Sequence, residues 1–424
     1  MAGGSLTWAR RLSLAAVLIV VAVAPGPAAG SRSQPCSGPN PPGQPGCGLA
    51  GTVQWARLLP GSWIAQNGLL GTTPARGEAY AALGGQVAAI GSGLAVSAFA
   101  ARTGQPLWTT DLTGFPAGSA IVSIRVWPDV VTAGVGLPAT TGIAAREEVV
   151  LAAATGRRIR AYPAAPFGGA VAADAANTVI IGPHAVTRYA NRTGHVRWSR
   201  PTGQAAQAWQ EDGDNLYVTV ATGGYLGTAP VTALRRINLS TGAERLIRPP
   251  GPAFDGALSL AFDGVVLFAA ARGVTAYDGA TGTRLWHRRV ALPESVDAVG
   301  QRLYLLVGNA LVGVNPRTGS RLARVRGATA ASAGLYGVWA GAVLGIDHGA
   351  LGKAWGYDVA TQRVLWTSTP LPWPHYFVDP SGIGGSTSPT LDGLLLAICA
   401  QLGPQPASGA AQTCLRPELT ALNR

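Results

Sequence analysis

The sequence predicts an all-β fold, an eight-bladed β-propeller of four-stranded antiparallel blades, and three observations predict it. First, a Thr-Gly dipeptide recurs at Gly104, Gly156, Gly194, Gly242, Gly282 and Gly319, with the variant Thr361-Gln362 after them. The steps are 52, 38, 48, 40, 37 and 43 residues, and a period near forty with several short strands per unit is that of a propeller blade. Second, a tryptophan stands four residues beyond the dipeptide at Trp108, Trp198, Trp286 and Trp366. Arg160, Leu246 and Ala323 take that place elsewhere. Third, apolar runs of strand length precede each turn, such as residues 264–270 before 273–277. No stretch after the N-terminal segment has helical periodicity.

Taken in order, residues 1–30 read as an export signal. Arg10 and Arg11 precede an apolar run at 12–24, too short to span a bilayer comfortably, and small residues follow at 28–30. Whether the signal is cleaved or kept as an anchor stays open. Residues 31–48 are rich in Pro, Gly and Ser and read as a tether, and residues 49–424 as the propeller. The chain has 4 cysteines, Cys36, Cys47, Cys399 and Cys414. An exported chain with four suggests two disulfides; of three connectivities, Cys36–Cys47 and Cys399–Cys414 are preferred.

Within each unit the turn has its own chemistry. Asp or Asn stands three residues before the threonine in Asn238, Asp278, Asn315 and Asp358, where its side chain can bond backbone N–H groups further on. Ala100, Ala152 and Ala190 depart from this. The glycine supplies the positive φ that a short hairpin requires.

The eighth unit is split. Residues 392–399 and 414–423 supply inner strands, and the outer strand is expected at residues 51–59, where Gly51 and Trp55 repeat the Gly-to-Trp spacing. Building one blade from both chain ends would remove an open edge. The alternative is seven blades with a C-terminal extension.

The pattern resembles the pyrroloquinoline-quinone (PQQ)-like propeller repeat, Ala-x-Asp-x-x-Thr-Gly-x-x-x-Trp, over residues 50–424. The resemblance implies that Trp55, Trp108, Trp198, Trp286 and Trp366 dock between neighbouring blades. It does not imply the cofactor: quinoprotein dehydrogenases are longer, with adjacent cysteines above the quinone and acidic and Asn ligands for calcium, a set not matched here. Other members with this repeat are interaction scaffolds.

Chemistry is sparse. Hydrophobic residues make up 47% and charged residues only 12%, which suits a large core. The net charge of +12 is carried by arginine, since Lys353 is the only lysine, and is scattered without a long run. No nucleic-acid partner is expected. The five histidines share no ligand motif, and no metal site is expected. Glu147-Glu148 reads as an exposed strand start. Residues 370–388 hold Trp373, His375, Tyr376 and Phe377 between prolines, a candidate binding loop. The expectation is therefore an exported, monomeric, non-catalytic binding or scaffold module for a protein or cell-envelope polymer. It carries no cofactor and no transmembrane segment once the signal is removed. The alternative is a reduced oxidoreductase using PQQ with calcium on an alcohol or sugar.

Overall fold

The structure is a computed structural model. It describes the backbone of most of residues 53–423, with gaps between strands, the longest at 139–144, 222–229, 327–332, 348–353, 368–376, 379–392 and 403–411; side chains are described chiefly from 86 to 322. Residues 1–52, with Cys36 and Cys47, lie outside the described residues.

Every element among the described residues is a strand. Seven four-stranded antiparallel sheets follow one another, at residues 80–111, 120–164, 170–201, 209–247, 257–288, 295–326 and 333–367, called here the first to seventh sheets. In each, strands adjacent in sequence are neighbours in the sheet, because a hairpin turn is the shortest way to pair two strands. This is a β-propeller arrangement.

An eighth group joins the two ends of the described chain. Phe377–Val378, Gly393–Leu402 and Gln412–Asn423 pair in order, and Val53–Leu58 pairs with the far half of Gln412–Asn423, Trp55 opposite Ala421 and Leu58 opposite Glu418. The near half of the same long strand pairs with Trp63–Gln66, Trp63 opposite Cys414, and two further strands, Leu69–Thr72 and Gly77–Glu78, continue from there. That extra ladder is not foreseen in the sequence reading. A strand of 12 residues exceeds what one six-residue partner can cover, so it takes two.

The core lies between sheets, in successive layers. Val96 and Ala98 of the first sheet meet Ile121, Val131 and Val149 of the second. Val150 and Tyr162 of the second meet Ala170 and Ile180 of the third, whose Val179 and Val186 meet Leu216 and Ile237 of the fourth. Leu234 faces Leu258 and Phe268 of the fifth, and Leu260 and Leu267 face Leu303 and Val314 of the sixth. The middle strands are therefore apolar on both faces, as Leu216, Tyr217 and Val218 show by being buried in turn.

Candidate functional site

The six described turns share one backbone pattern. The glycine N–H donates to the carbonyl four residues back, from Gly104 to Ala100 through to Gly319 to Asn315, at 2.7–2.8 Å. Each threonine hydroxyl accepts the N–H two residues on, as in Ala243 to Thr241 at 3.1 Å. Where Asp or Asn precedes, its side chain is added: Asp278 Oδ1 accepts from Ala280 N, Thr281 N and Thr281 Oγ1 at 2.8–2.9 Å. Partial burial raises the Asp278 pKa, but these bonds and Arg317 outweigh it, and the carboxyl sits below its ordinary range. The turns that begin with Ala100, Ala152 and Ala190 close without that cap.

Five of the six turn glycines, Gly156, Gly194, Gly242, Gly282 and Gly319, sit against the outer strand of the preceding sheet or the residue just after it. The Trp286 ring lies over Gly319, where a Cβ would meet Cγ and Cδ2 at 2.7 Å. Its Nε1 donates to Pro316 O at 2.6 Å, and Arg288 Nε donates to Gly319 O at 2.8 Å. Trp108 repeats this on Gly156, donating to Ala153 O at 2.7 Å, with Thr110 Oγ1 on Gly156 O at 2.9 Å. Trp198 covers Gly242, and Arg200 Nε reaches Gly242 O at 2.6 Å. Here the indole Nε1 is buried and has no acceptor among the described residues. The carbonyl it would use, Leu239 O, is 3.4 Å from Arg188 Nη1.

Two positions that break the tryptophan spacing still form junctions. Arg160 lays its guanidinium over Gly194 and directs Nε at Asn191 O, 3.5 Å away, the carbonyl equivalent to Pro316 O. Tyr162 donates to Asn191 Oδ1 at 3.3 Å. At Leu246 the side chain is exposed, and the backbone of Arg248 runs directly against Gly282. Nothing in the spacing signals that Arg160 stands in for tryptophan.

A second polar group joins the first strands of three sheets. Arg125 Nη1 donates to Ala170 O at 2.6 Å and pairs with Glu211 at 3.1 Å, with its guanidinium 4.7 Å from the Trp209 ring centre. Burial pushes the Glu211 carboxyl up, against the opposing pull of Arg125. Nearby on the second sheet, Arg146 pairs with Glu148 at 3.2 Å and donates to the Ser123 hydroxyl. Glu148 is 1% exposed. The expected exposed strand start is therefore wrong for Glu148, because its face is the one covered by the third sheet.

His287 lies in a triad-like line, with Thr275 Oγ1 2.9 Å from its Nδ1 and 3.2 Å from Asp255 Oδ2. Thr275 is buried, so no substrate reaches its hydroxyl. The same twelve-residue spacing joins Ser97 to Thr109 at 3.0 Å and Thr187 to Ser199 at 2.9 Å, which marks it as a strand-to-strand tie of the repeat. His184 and His195 are exposed and apart, and His348 and His375 lie outside the described residues. Among the described residues no three His, Cys, Asp or Glu side chains converge on a metal position.

The remaining sequence-derived positions are placed by backbone alone. Trp55 and Trp366 lie on strands, opposite Ala421 and Gly356. Phe377 opens a two-residue strand opposite Ile398, while Trp373, His375 and Tyr376 lie outside the described residues. Cys399 stands opposite Pro417 and Cys414 opposite Leu402, on adjacent strands but not as a directly opposed pair. No helix among the described residues is long and apolar enough to cross a membrane.

Comparison with known proteins places this geometry. No curated protein matches the chain. Among solved structures it is similar to a computationally designed protein, Ika8, at 13% identity over 88% of this chain and 100% of that one, TM-score 0.51. A quinohemoprotein alcohol dehydrogenase of Pseudomonas putida HK5 matches at 14% identity over 88% and 76%, TM-score 0.50. The BamB protein of Moraxella catarrhalis matches at 16% identity over 72% and 94%, TM-score 0.42. The first two likenesses show the fold alone. A family model described as outer membrane protein assembly factor BamB matches residues 92–335. That span covers all six described turns and all five described junctions, more than half of the chain, and the chain therefore belongs to this PQQ-like repeat family.

Proposed function

We propose that the protein is an exported, eight-bladed propeller that acts without catalysis of its own as a binding or scaffold module for a protein or cell-envelope partner. The observation that carries this is the use of its polar side chains. Asp278, Thr281, Trp286, His287 and Arg288 are all engaged in turns, strand ties and junctions. The buried carboxylates Glu148 and Glu211 each face an arginine. The family's described role in assembly agrees with a binding function.

The proposed layout is a signal at 1–30, a tether at 31–48 and the propeller at 49–424. Pairing of Val53–Leu58 with Gln412–Asn423 supports eight blades closed by the N-terminal strand over seven. A monomeric, oxidised form outside the cytoplasm is part of the same reading.

PQQ with calcium does not fit the described residues. A calcium-bound quinone needs free carboxylate and amide oxygens pointing to one place, and here Glu148 and Glu211 are neutralised by arginine while Asp255 is tied to Thr275. Affinity capture from the producing organism's envelope, followed by mass spectrometry, tests the binding role. Incubation with PQQ and calcium, read as dye-linked oxidation of alcohols or sugars, tests the opposing one. Turnover there would overturn the non-catalytic reading.

A further inference from the structure

The arginines that look scattered along the sequence are collected by the repeat onto one edge of the sheets. Every one of the six described turns has an exposed arginine within three residues of its glycine, among them Arg102, Arg157, Arg192, Arg245, Arg284 and Arg321. These six form no ion pair among the described residues. Within the same windows the only acidic residue is Glu244, and it is paired with Arg235.

The turns share an edge for a structural reason. Each joins the third strand to the fourth, and five of the six are bonded to the first-to-second turn of their own sheet, as Leu239 N to Asp214 O and Gly279 N to Gly264 O show. Those turns bring the exposed Asp129, Asp174, Asp214 and Asp263 to the edge, the last paired with Arg317, so the edge is mixed in charge with arginine in excess. The glycine contact with the preceding sheet then repeats the same step from sheet to sheet. The exposed apolar residues follow the same phase. Among the described residues the large hydrophobic side chains left exposed are Leu107, Val196, Leu246 and Leu322, at 41–55%. Each lies two to four residues beyond a turn glycine.

We propose that this turn edge docks on an anionic lipid bilayer. The proposal rests on the binding-module reading and names the envelope partner as a lipid surface. A protein partner makes specific contacts over one or two sheets and leaves no reason for an exposed arginine at all six described turns, four of them with an exposed aliphatic residue beside it. A laterally uniform anionic plane meets all of them alike, with arginine at the headgroup phosphates and the short aliphatic side chains at the acyl boundary. Single-stranded nucleic acid is disfavoured, because it calls for exposed stacking rings, and the tryptophans beside these turns are covering glycines.

The test is co-flotation of the full chain with vesicles of phosphatidylglycerol or of phosphatidylcholine, at low and high salt. Binding through residues 1–30, with Arg10 and Arg11, is common to the parent and the variants, so the difference between them on phosphatidylglycerol isolates the turn edge. The proposal expects retention on phosphatidylglycerol that high salt weakens. Combining Arg157→Gln, Arg192→Gln, Arg245→Gln and Arg284→Gln should weaken that retention by at least about a hundred-fold, at about five-fold for each arginine near the surface. Arg289→Gln, an exposed arginine beyond the outer strand, should change little. Unchanged melting of the quadruple variant keeps a folding defect out of the result. Equal retention of the quadruple variant on phosphatidylglycerol, or binding to soluble heparin without binding to vesicles, would each overturn lipid docking and leave the binding-module reading standing. Dye-linked quinone turnover would instead sink that reading, whatever the vesicles show.

Discussion

The junction between the fifth and sixth sheets allows a two-residue test of how these sheets are held. Trp286 is 8% exposed, lies on Gly319 and donates to Pro316 O at 2.6 Å. Trp286→Ala removes a large buried ring and leaves a cavity, a loss of about 3–5 kcal/mol. Gly319 has φ +66°. An alanine there costs about 1–2 kcal/mol for the left-handed backbone. Its methyl would also meet the ring at 2.7 Å, and moving a packed side chain aside costs a further 1–3 kcal/mol or about that. In the double variant the ring is absent, so the collision term vanishes while the backbone term stays. The double loss should therefore fall short of the sum of the single losses by about 1–3 kcal/mol. Denaturant midpoints, compared at unchanged slope, measure it. Additivity within about 0.5 kcal/mol would refute the contact, since independent sites add.

Arg160→Ala should destabilise by about 1–2 kcal/mol, because it uncovers Gly194 and frees Asn191 O, whereas Arg157→Ala should stay within about 0.5 kcal/mol in thermal unfolding. Asp278 and Glu211 should shape the pH profile in opposite senses. The lowered Asp278 pKa gives stability that is present above its unfolded value and is lost as pH falls through the folded one; the raised Glu211 pKa makes stability fall as pH rises through that range. Asp278→Asn should flatten the first trend and Glu211→Gln the second, in melting curves taken across acid pH. Deleting residues 49–60 should cause aggregation or a strongly lowered melting temperature, because it unpairs the far half of Gln412–Asn423. Deleting 31–48 should be tolerated, and a stable monomer truncated after residue 385 would mean seven blades.

Much of the fold is legible in the sequence because it is periodic. The Thr-Gly phase marks third-to-fourth strand turns, and the six described turns do share one hydrogen-bond pattern. A local pattern of this kind is set by residues within a few positions of each other. What stays hidden depends on neighbours that are distant in sequence. Glu148 looks like any charged strand start until Gly169 of the following sheet is seen against its carboxylate. Arg125 meets Ala170 and Glu211, 45 and 86 residues away, and no spacing within a forty-residue period predicts that link. The arginine edge is hidden for a third reason: its members lie at different offsets from their glycines, so only the shared direction of the turns brings them together.

The departures from the repeat show which part of it the fold demands. At five successive junctions the partner of the turn is Trp108, Arg160, Trp198, the Arg248 backbone and Trp286. Three are indoles, one is a guanidinium and one is main chain, so no single side-chain chemistry is required. The turn residue, by contrast, is glycine each time, at φ between +66° and +76°. A Cβ there would meet the partner in all five cases. The flat faces of indole and guanidinium both lie on a bare α-carbon, and so does a strand backbone; what they share is close approach. Close approach across a layer removes the gap that would forfeit dispersion contacts on both sides. It also brings the donors of Thr110, Arg200 and Arg288 onto the glycine carbonyl. Tryptophan is thus the more visible signal in the sequence, but glycine is the more general requirement. Alanine at Gly282, whose partner is backbone and cannot swing aside, should be worse tolerated than alanine at Gly194, whose partner is a flexible arginine.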